Sequence, residues 1–229
     1  MANSNNRELA ILSAIVDSIA YNLDLDAVLR QIIEIVYKET LADSIFLYVY
    51  DEPSGQVVLR ASKNPHPSLL GKVSLNLGEG ITGWVAEHKK VVEITENASD
   101  DKRFKFFHDI PEDRYEAFLS LPVTFGGKLI AVVNIQYKKP KKHPAEQIRL
   151  LSTIAKQVGG ALENARLVSE SQALKEALET RKLMDRAKGI LIKRDGLTEP
   201  EAYSQLQKLS MKHRKPIREV AEAVIISSK

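Results

Sequence analysis

At 229 residues, with 44% hydrophobic and 28% charged residues, the chain has a globular composition and a length that suits two modules better than one. The absence of cysteine excludes disulfides, a thiolate nucleophile and Cys-based metal sites, and fits a reducing cytoplasm, the expected location. No apolar run approaches the roughly 18 residues of a membrane-spanning helix, and the first residues lack the basic start and apolar core of a signal peptide, so no membrane partner is expected. The net charge of +3 is unevenly spread. Residues 181–229 hold 12 Lys/Arg against 6 Asp/Glu, a balance of +6, while residues 1–180 hold 21 against 24, a balance of −3. Such a local basic excess is either a nucleic-acid footprint or a solvated helical tail.

In chain order, Leu9, Leu12, Ile15, Val16 and Ile19 recur at helical spacing over 7–21. A second helix follows, with Asp24 as its N-cap and Leu25, Val28, Leu29, Ile32, Ile33 and Val36 as its apolar face. The pattern then turns to strand: SIFLYVYD over 44–51, a turn at Pro53-Ser54-Gly55, and QVVLRAS beyond it make a hairpin. Gly78 and Gly80 mark a tight loop, 81–88 reads as a short helix and 91–94 as a short strand. After a polar stretch carrying Phe104, Phe106 and Phe107, residues 118–125 and 128–138 flank a Gly126-Gly127 turn as a second hairpin. The expected fold is α+β, an antiparallel sheet flanked by helices.

No proline interrupts 145–199, which predicts one long helix leading into the basic tail. Ile148, Leu151, Ala155, Val158, Leu162 and Ala165 follow a 3-4 spacing, and Leu167, Leu174 and Leu178 continue a weaker stripe. That spacing suits either a coiled-coil-like dimer seam or a helix packed on its own domain. The expected arrangement is a homodimer through the helices around 1–21 and 145–180.

The segments GEGITGWVAE and SLPV followed by GKLIAVVNIQ, in this order of elements, resemble a GAF sensory domain over about residues 7–167. The resemblance implies a sheet with a small-molecule pocket on one face. Phe46, Tyr48, Trp84, Phe104, Phe107, Ser120 and Asn134 are the candidate lining, because apolar walls with a few polar groups make ligand sites; the same aromatics would equally fill a core. Attachment of a bilin through a thiol, and the thiol chemistry of sulfoxide reductases on this fold, both need a cysteine that the chain lacks. The Asn-Lys…Phe…Asp-Glu pattern of cyclic-nucleotide GAF domains has no counterpart here. His66, His88 and His108 are the histidines near this region that haem could use, each equally a surface residue. No cofactor is expected, and the ligand stays unknown.

The tail reads as three helices. The first ends at Asp195-Gly196; Thr198 caps the second, whose apolar face is read as Ala202, Tyr203, Leu206 and Leu209. The third starts near Pro216 and carries a stripe of Ile217, Val220, Ala221, Val224 and Ile225. Lys182, Arg186, Gly189 and Lys193 fall along one edge of the first helix, and Lys208 and Lys212 form a shorter row on the second, with Arg214 in the loop beyond. Cations in a row beside a position without a side chain suit a phosphate backbone, or else a solvated face with Gly189 kept for helix packing.

The run RKLMDRAKGILIKRDGLTEPEAYSQLQKLSM, with REVAEAVI after it, resembles an ANTAR domain from about 181 to 226 without a gap. The resemblance implies a dimeric three-helix RNA-binding bundle of a transcription antiterminator, recognising paired hairpins with six-nucleotide loops in nascent RNA. Replacing Lys188 or Arg194 by alanine is then expected to weaken binding, Lys182, Arg186, Lys193, Lys208, Lys212 and Arg214 to contribute mainly through phosphates, and Tyr203 to stack on a base unless it is core. Gln207 stands where many relatives carry Arg. The expected division is a GAF-like domain over 1–143, a connecting and dimerisation helix over 144–180, and an ANTAR-like bundle over 181–229. A helix-turn-helix that binds DNA is the alternative, but the third helix offers only Arg218 at its start. No phosphate loop, metal spacing or nucleophile–base pair suggests an enzyme.

Overall fold

The computed structural model of the chain describes residues 24–63, 69–105 and 115–227. The helix expected over 7–21, and with it that part of the expected dimer contact, lies outside the described residues. The chain divides into two compact units, Met1–Ser169 and Glu170–Lys229.

In the first unit, helix α1 (Leu25–Thr40) starts at Asp24, whose side chain accepts the Asp26 N–H at 2.9 Å. Its buried residues, Val28, Leu29, Ile32, Ile33 and Val36, are the apolar face read from the sequence. Strands β1 (Ser44–Asp51) and β2 (Gln56–Lys63) form the first hairpin; β5 (Ala117–Phe125) and β6 (Lys128–Tyr137) form the second. Between the hairpins come β3 (Ser74–Asn76), helix α2 (Gly80–His88) and β4 (Val92–Ile94). The six strands are ordered β3-β2-β1-β6-β5-β4, with every neighbouring pair antiparallel. The sequence pattern does not reveal β3, which has three residues and buries only Leu75.

Both sheet faces are apolar. Along β1, Ile45, Leu47 and Val49 point to one face, Phe46 and Tyr48 to the other, by the two-residue period of a strand. The first face is covered by α1 and by the start of helix α3 (Ala145–Asp195). Leu151, Ile154, Ala155, Val158, Leu162 and Ala165 of α3 are buried in this cluster. The stripe that suited a dimer seam over 148–165 is therefore the cover of the chain's own sheet. Each fully buried Leu, Ile or Val contributes about 1.5–3 kcal/mol. An exposed ion pair contributes about 0–1 kcal/mol, so apolar packing fixes α3 here. Past Ala165 the stripe emerges: Leu167 and Val168 are exposed.

The entry into α3 is pinned. His143 is buried, its backbone N–H donates to Glu93 Oε1 at 2.7 Å, and its ring nitrogens lie 3.0 Å from that carboxylate and 3.1 Å from the Tyr137 hydroxyl. Tyr137 also reaches the Thr40 carbonyl at the end of α1, at 3.3 Å. Burial holds the imidazole below its ordinary pKa, against the opposing pull of Glu93. The stability this neutral ring contributes is fully present above the ordinary histidine value of about 6.5 and is lost as pH falls through the lowered native value.

Two glycines bring α3 close to the β5–β6 hairpin. A Cβ on Gly159 would overlap the Thr124 carbonyl oxygen and sit 3.0 Å from its carbon, whereas one on Gly160 would meet the Phe125 ring at 3.1 Å. Backbone cannot yield cheaply; an exposed ring can.

In the second unit, the end of α3 joins α4 (Glu199–His213) and α5 (Ile217–Ser227) around Ala187, Leu191, Ala202, Leu206, Val220, Ala221, Val224 and Ile225. Helix α3 stops at Asp195 with Gly196 at φ 68°, as the Asp-Gly pair predicts. The Glu201 carboxylate reaches back to accept the Thr198 N–H at 2.8 Å and hydroxyl at 2.7 Å, fixing the start of α4.

Two outcomes follow from these contacts. Gly159→Ala should lower stability by about 1–3 kcal/mol from overpacking, more than the roughly 1 kcal/mol gained in helix propensity, while Gly160→Ala should be close to neutral; urea unfolding of both variants measures this. The urea midpoint of the wild type should fall between pH 7.5 and 5.5, and the fall should be smaller in His143→Gln.

Candidate functional site

On the second sheet face, Ser120 and Asn134 are direct partners across β5 and β6. The Ser120 hydroxyl donates to Asn134 Oδ1 at 2.6 Å, and Asn134 Nδ2 donates to the Thr82 hydroxyl at 2.6 Å. All three residues are buried, so this chain of hydrogen bonds ties the first turn of α2 to the sheet. Gly83 allows the approach, since a Cβ there would overlap the Asn76 carbonyl oxygen. Of the expected lining, Phe46 and Tyr48 are buried in this cluster, and burial pushes the Tyr48 phenol far above its ordinary pKa. Phe104 packs at the cluster's edge and meets Phe118 edge-on at 5.8 Å; Tyr115 meets the same ring at 6.2 Å. Trp84 is half-buried, stacked on His88 at 4.2 Å and covered by Arg103 at 4.9 Å. Arg103 is in turn held by both carboxylate oxygens of Asp101, at 2.9 and 2.7 Å.

His88, one of the haem candidates, is exposed, with Nδ1 3.0 Å from the Trp84 carbonyl. Phe107, His66 and His108 lie outside the described residues. Thr82, Phe118 and Gln136 were not read from the sequence as members of this face. Gln136 Oε1 is buried without a hydrogen-bond partner. The order of motifs offered a cue only for Thr82, which sits in the GITGW segment. Among the described residues, no cluster of His, Asp or Glu could hold a metal, and no helix is long and apolar enough to cross a membrane.

The basic bundle sorts its cations into two groups. Lys188 is held 2.9 Å from Asp185 and 2.8 Å from Glu199, with its side chain only 16% exposed. These carboxylates raise its pKa, the Glu199 hydrogen bond most of all. Arg194 is clasped by Asp195 at 2.8 and 2.9 Å. The two cations whose loss is expected to weaken binding are thus already paired. Lys182, Arg186 and Lys193 are exposed along the outer edge of α3, with no ion pair among the described residues, and so are Lys208, Lys212 and Arg214. Arg218 is shared between Glu222 at 3.2 Å and Glu179 at 3.6 Å.

Tyr203 is not part of the apolar face. Ala202 and Leu206 are buried, but Tyr203, one residue and about 100° round the helix from Ala202, is 42% exposed. Its hydroxyl accepts from Gln207 Nε2 at 3.1 Å, which orients the ring. Gln207 departs from the motif and lies one turn from Tyr203, a spacing already present in the sequence.

Comparison with known proteins agrees with both halves. The GAF domain family matches residues 22–163, and the ANTAR domain family matches residues 172–225. Similar solved structures include the GAF domain of a phosphoenolpyruvate-protein phosphotransferase from Acinetobacter, 30% identical, covering 71% of this chain and 96% of that one with a TM-score of 0.64. The corresponding domain from Coxiella burnetii is 24% identical and covers 73% of this chain and 99% of that one, with a TM-score of 0.66. A free methionine-R-sulfoxide reductase from Neisseria meningitidis shares the fold at 16% identity, with 70% and 90% coverage and a TM-score of 0.58. The thiol chemistry of such reductases is closed to a chain without cysteine. Transcriptional regulatory protein PdtaR of Mycobacterium tuberculosis is 41% identical over 76 residues, 33% of this chain and 37% of that protein's length.

The sorting of cations yields a contrast. Lys188→Ala should lower the melting temperature, because it unties α3 from the start of α4, whereas Lys193→Ala should leave it unchanged; circular dichroism of the two variants reads the difference.

Proposed function

We propose, from the premise that this chain belongs to the GAF domain family and carries an ANTAR RNA-binding domain behind it, that it is a ligand-responsive transcription antiterminator. As a dimer it would bind paired hairpins in nascent RNA and so prevent a terminator hairpin from forming. The observation that carries this reading is the joining, on one chain, of a sensor domain to a bundle whose outer edge keeps Lys182, Arg186 and Lys193 without counter-ions. Unpaired surface cations release condensed counter-ions when they meet phosphates, and that release drives binding. Tyr203, exposed and oriented by Gln207, suits the stacking by which single-stranded loop bases are held.

Dimerisation is assigned to the part of α3 beyond its own sheet, where Leu174 is 67% and Leu178 54% exposed, one heptad and then four residues beyond Leu167. A ligand on the sensor's second sheet face would act through α3, the element that both the sensor core and the basic bundle use. Pairing of Arg218 with two carboxylates leaves the start of α5 poorly suited to read a DNA groove.

Anisotropy titration of the full chain against an RNA with two six-nucleotide-loop hairpins, and against duplex DNA, tests the reading. The RNA should bind more tightly, with affinity falling steeply with salt. Lys182→Ala and Lys193→Ala should each flatten the salt slope by roughly 0.7. Preference for duplex DNA, or RNA binding indifferent to salt and to these substitutions, would contradict it.

A further inference from the structure

Helix α3 contains three glycines, Gly159, Gly160 and Gly189. A glycine inside a helix is destabilising relative to alanine, so each calls for a reason. The first two have one inside the chain: a side chain at Gly159 would collide with the Thr124 backbone, and one at Gly160 would press on the Phe125 ring, which would have to give. Gly189 has none. A Cβ built there meets nothing within 4 Å, and its backbone conformation is one that any residue adopts in a helix. Kept space for internal helix packing, the bland explanation for this glycine, is therefore removed.

What lies along the helix from Gly189 narrows the occupant. Lys182, Arg186 and Lys193 fall seven and three residues before it and four after it, on the same outward edge, and none is ion-paired among the described residues. Asp185, one turn before Gly189, is engaged by Lys188. Two copies of α3 crossing at Gly189 would bring two such cationic rows together without counter-charge, which is unfavourable. A polyanion gains from every one of these positions. We infer that Gly189 is the point where the RNA sugar-phosphate backbone comes closest to the protein, its missing side chain serving the RNA and not the fold. The inference rests on the RNA-binding reading above and adds to it a contact that carries no charge of its own. The gap lets the backbone descend onto the helix, and the flanking ammonium and guanidinium groups then reach phosphates on either side.

The test uses the full chain with Gly189→Ala and Gly189→Leu, both good helix formers of increasing bulk. Melting followed by circular dichroism should show the alanine variant stabilised, by roughly 2–4 °C, so that weaker binding by it is no sign of misfolding. Against the two-hairpin RNA, the alanine variant should lose affinity by roughly tenfold, about the worth of one charge-assisted contact, and the leucine variant more. Each should also show a flatter salt slope, because the neighbouring cations are lifted off their phosphates. Wild-type affinity and slope in the leucine variant would overturn the inference. So would loss of the dimer in sedimentation with RNA affinity retained, which would assign Gly189 to a contact between copies. If the wild type itself failed to bind the RNA, the functional reading would fall and the inference with it; the variants' failure beside a binding wild type is a different result.

Discussion

Both faces of the six-stranded sheet are apolar, and a sheet of that kind must be covered twice. One face takes α1 and the first part of α3, as far as Ala165; the other takes α2 with Phe104 and Tyr115. Much else follows from how this cover is divided. Because α3 is committed to the sheet up to Ala165, only its later residues are left for anything outside the sensor core. Because α2 is fastened by Thr82 to Asn134, the second face is organised around a buried polar chain and not around aromatic packing alone.

The same division explains how one helix serves two modules. Apolar burial holds its first part, and a mid-helix glycine pair lets it lie against the β5–β6 hairpin. Its last part contributes Ala187 and Leu191 to a second, smaller core and presents cations on the opposite side. The bundle's charges are then divided by geometry. Lys188 and Arg194 are spent on Asp185, Glu199 and Asp195, so the free positive edge is narrower than the count of basic residues suggests.

Much of the fold was legible in the sequence because local rules decide it. The Gly126-Gly127 turn, the Asp24 and Thr198 caps and the proline-free stretch after Pro144 each act over a few residues, and each marks an element that the structure contains. What stayed hidden depends on distant partners. A 3-4 apolar spacing is the same whether a sheet or a second helix covers it, so the stripe over 148–165 could not be assigned from spacing. The hydrogen bond from Asn134 to Thr82 spans 52 residues. Tyr203 sits at the border of an apolar face, where a single step of about 100° decides between core and solvent. The sequence singles out Lys188 as an RNA contact, and nothing local shows that the turn after α3 brings Glu199 beside it. Gly189 had two readings in the sequence, and only the empty space around it removed the packing one.

The central claim is that α3 serves two purposes along its length, cover for the sensor sheet at its start and an RNA-facing edge near its end. Amide hydrogen exchange across α3, in the full chain with and without the two-hairpin RNA, tests this most directly. The account predicts that segments over 148–165 are protected equally in both states, while those over 182–193 exchange more slowly once RNA is bound. Protection appearing only in α5, or unprotected amides over 148–165 in the free protein, would contradict it.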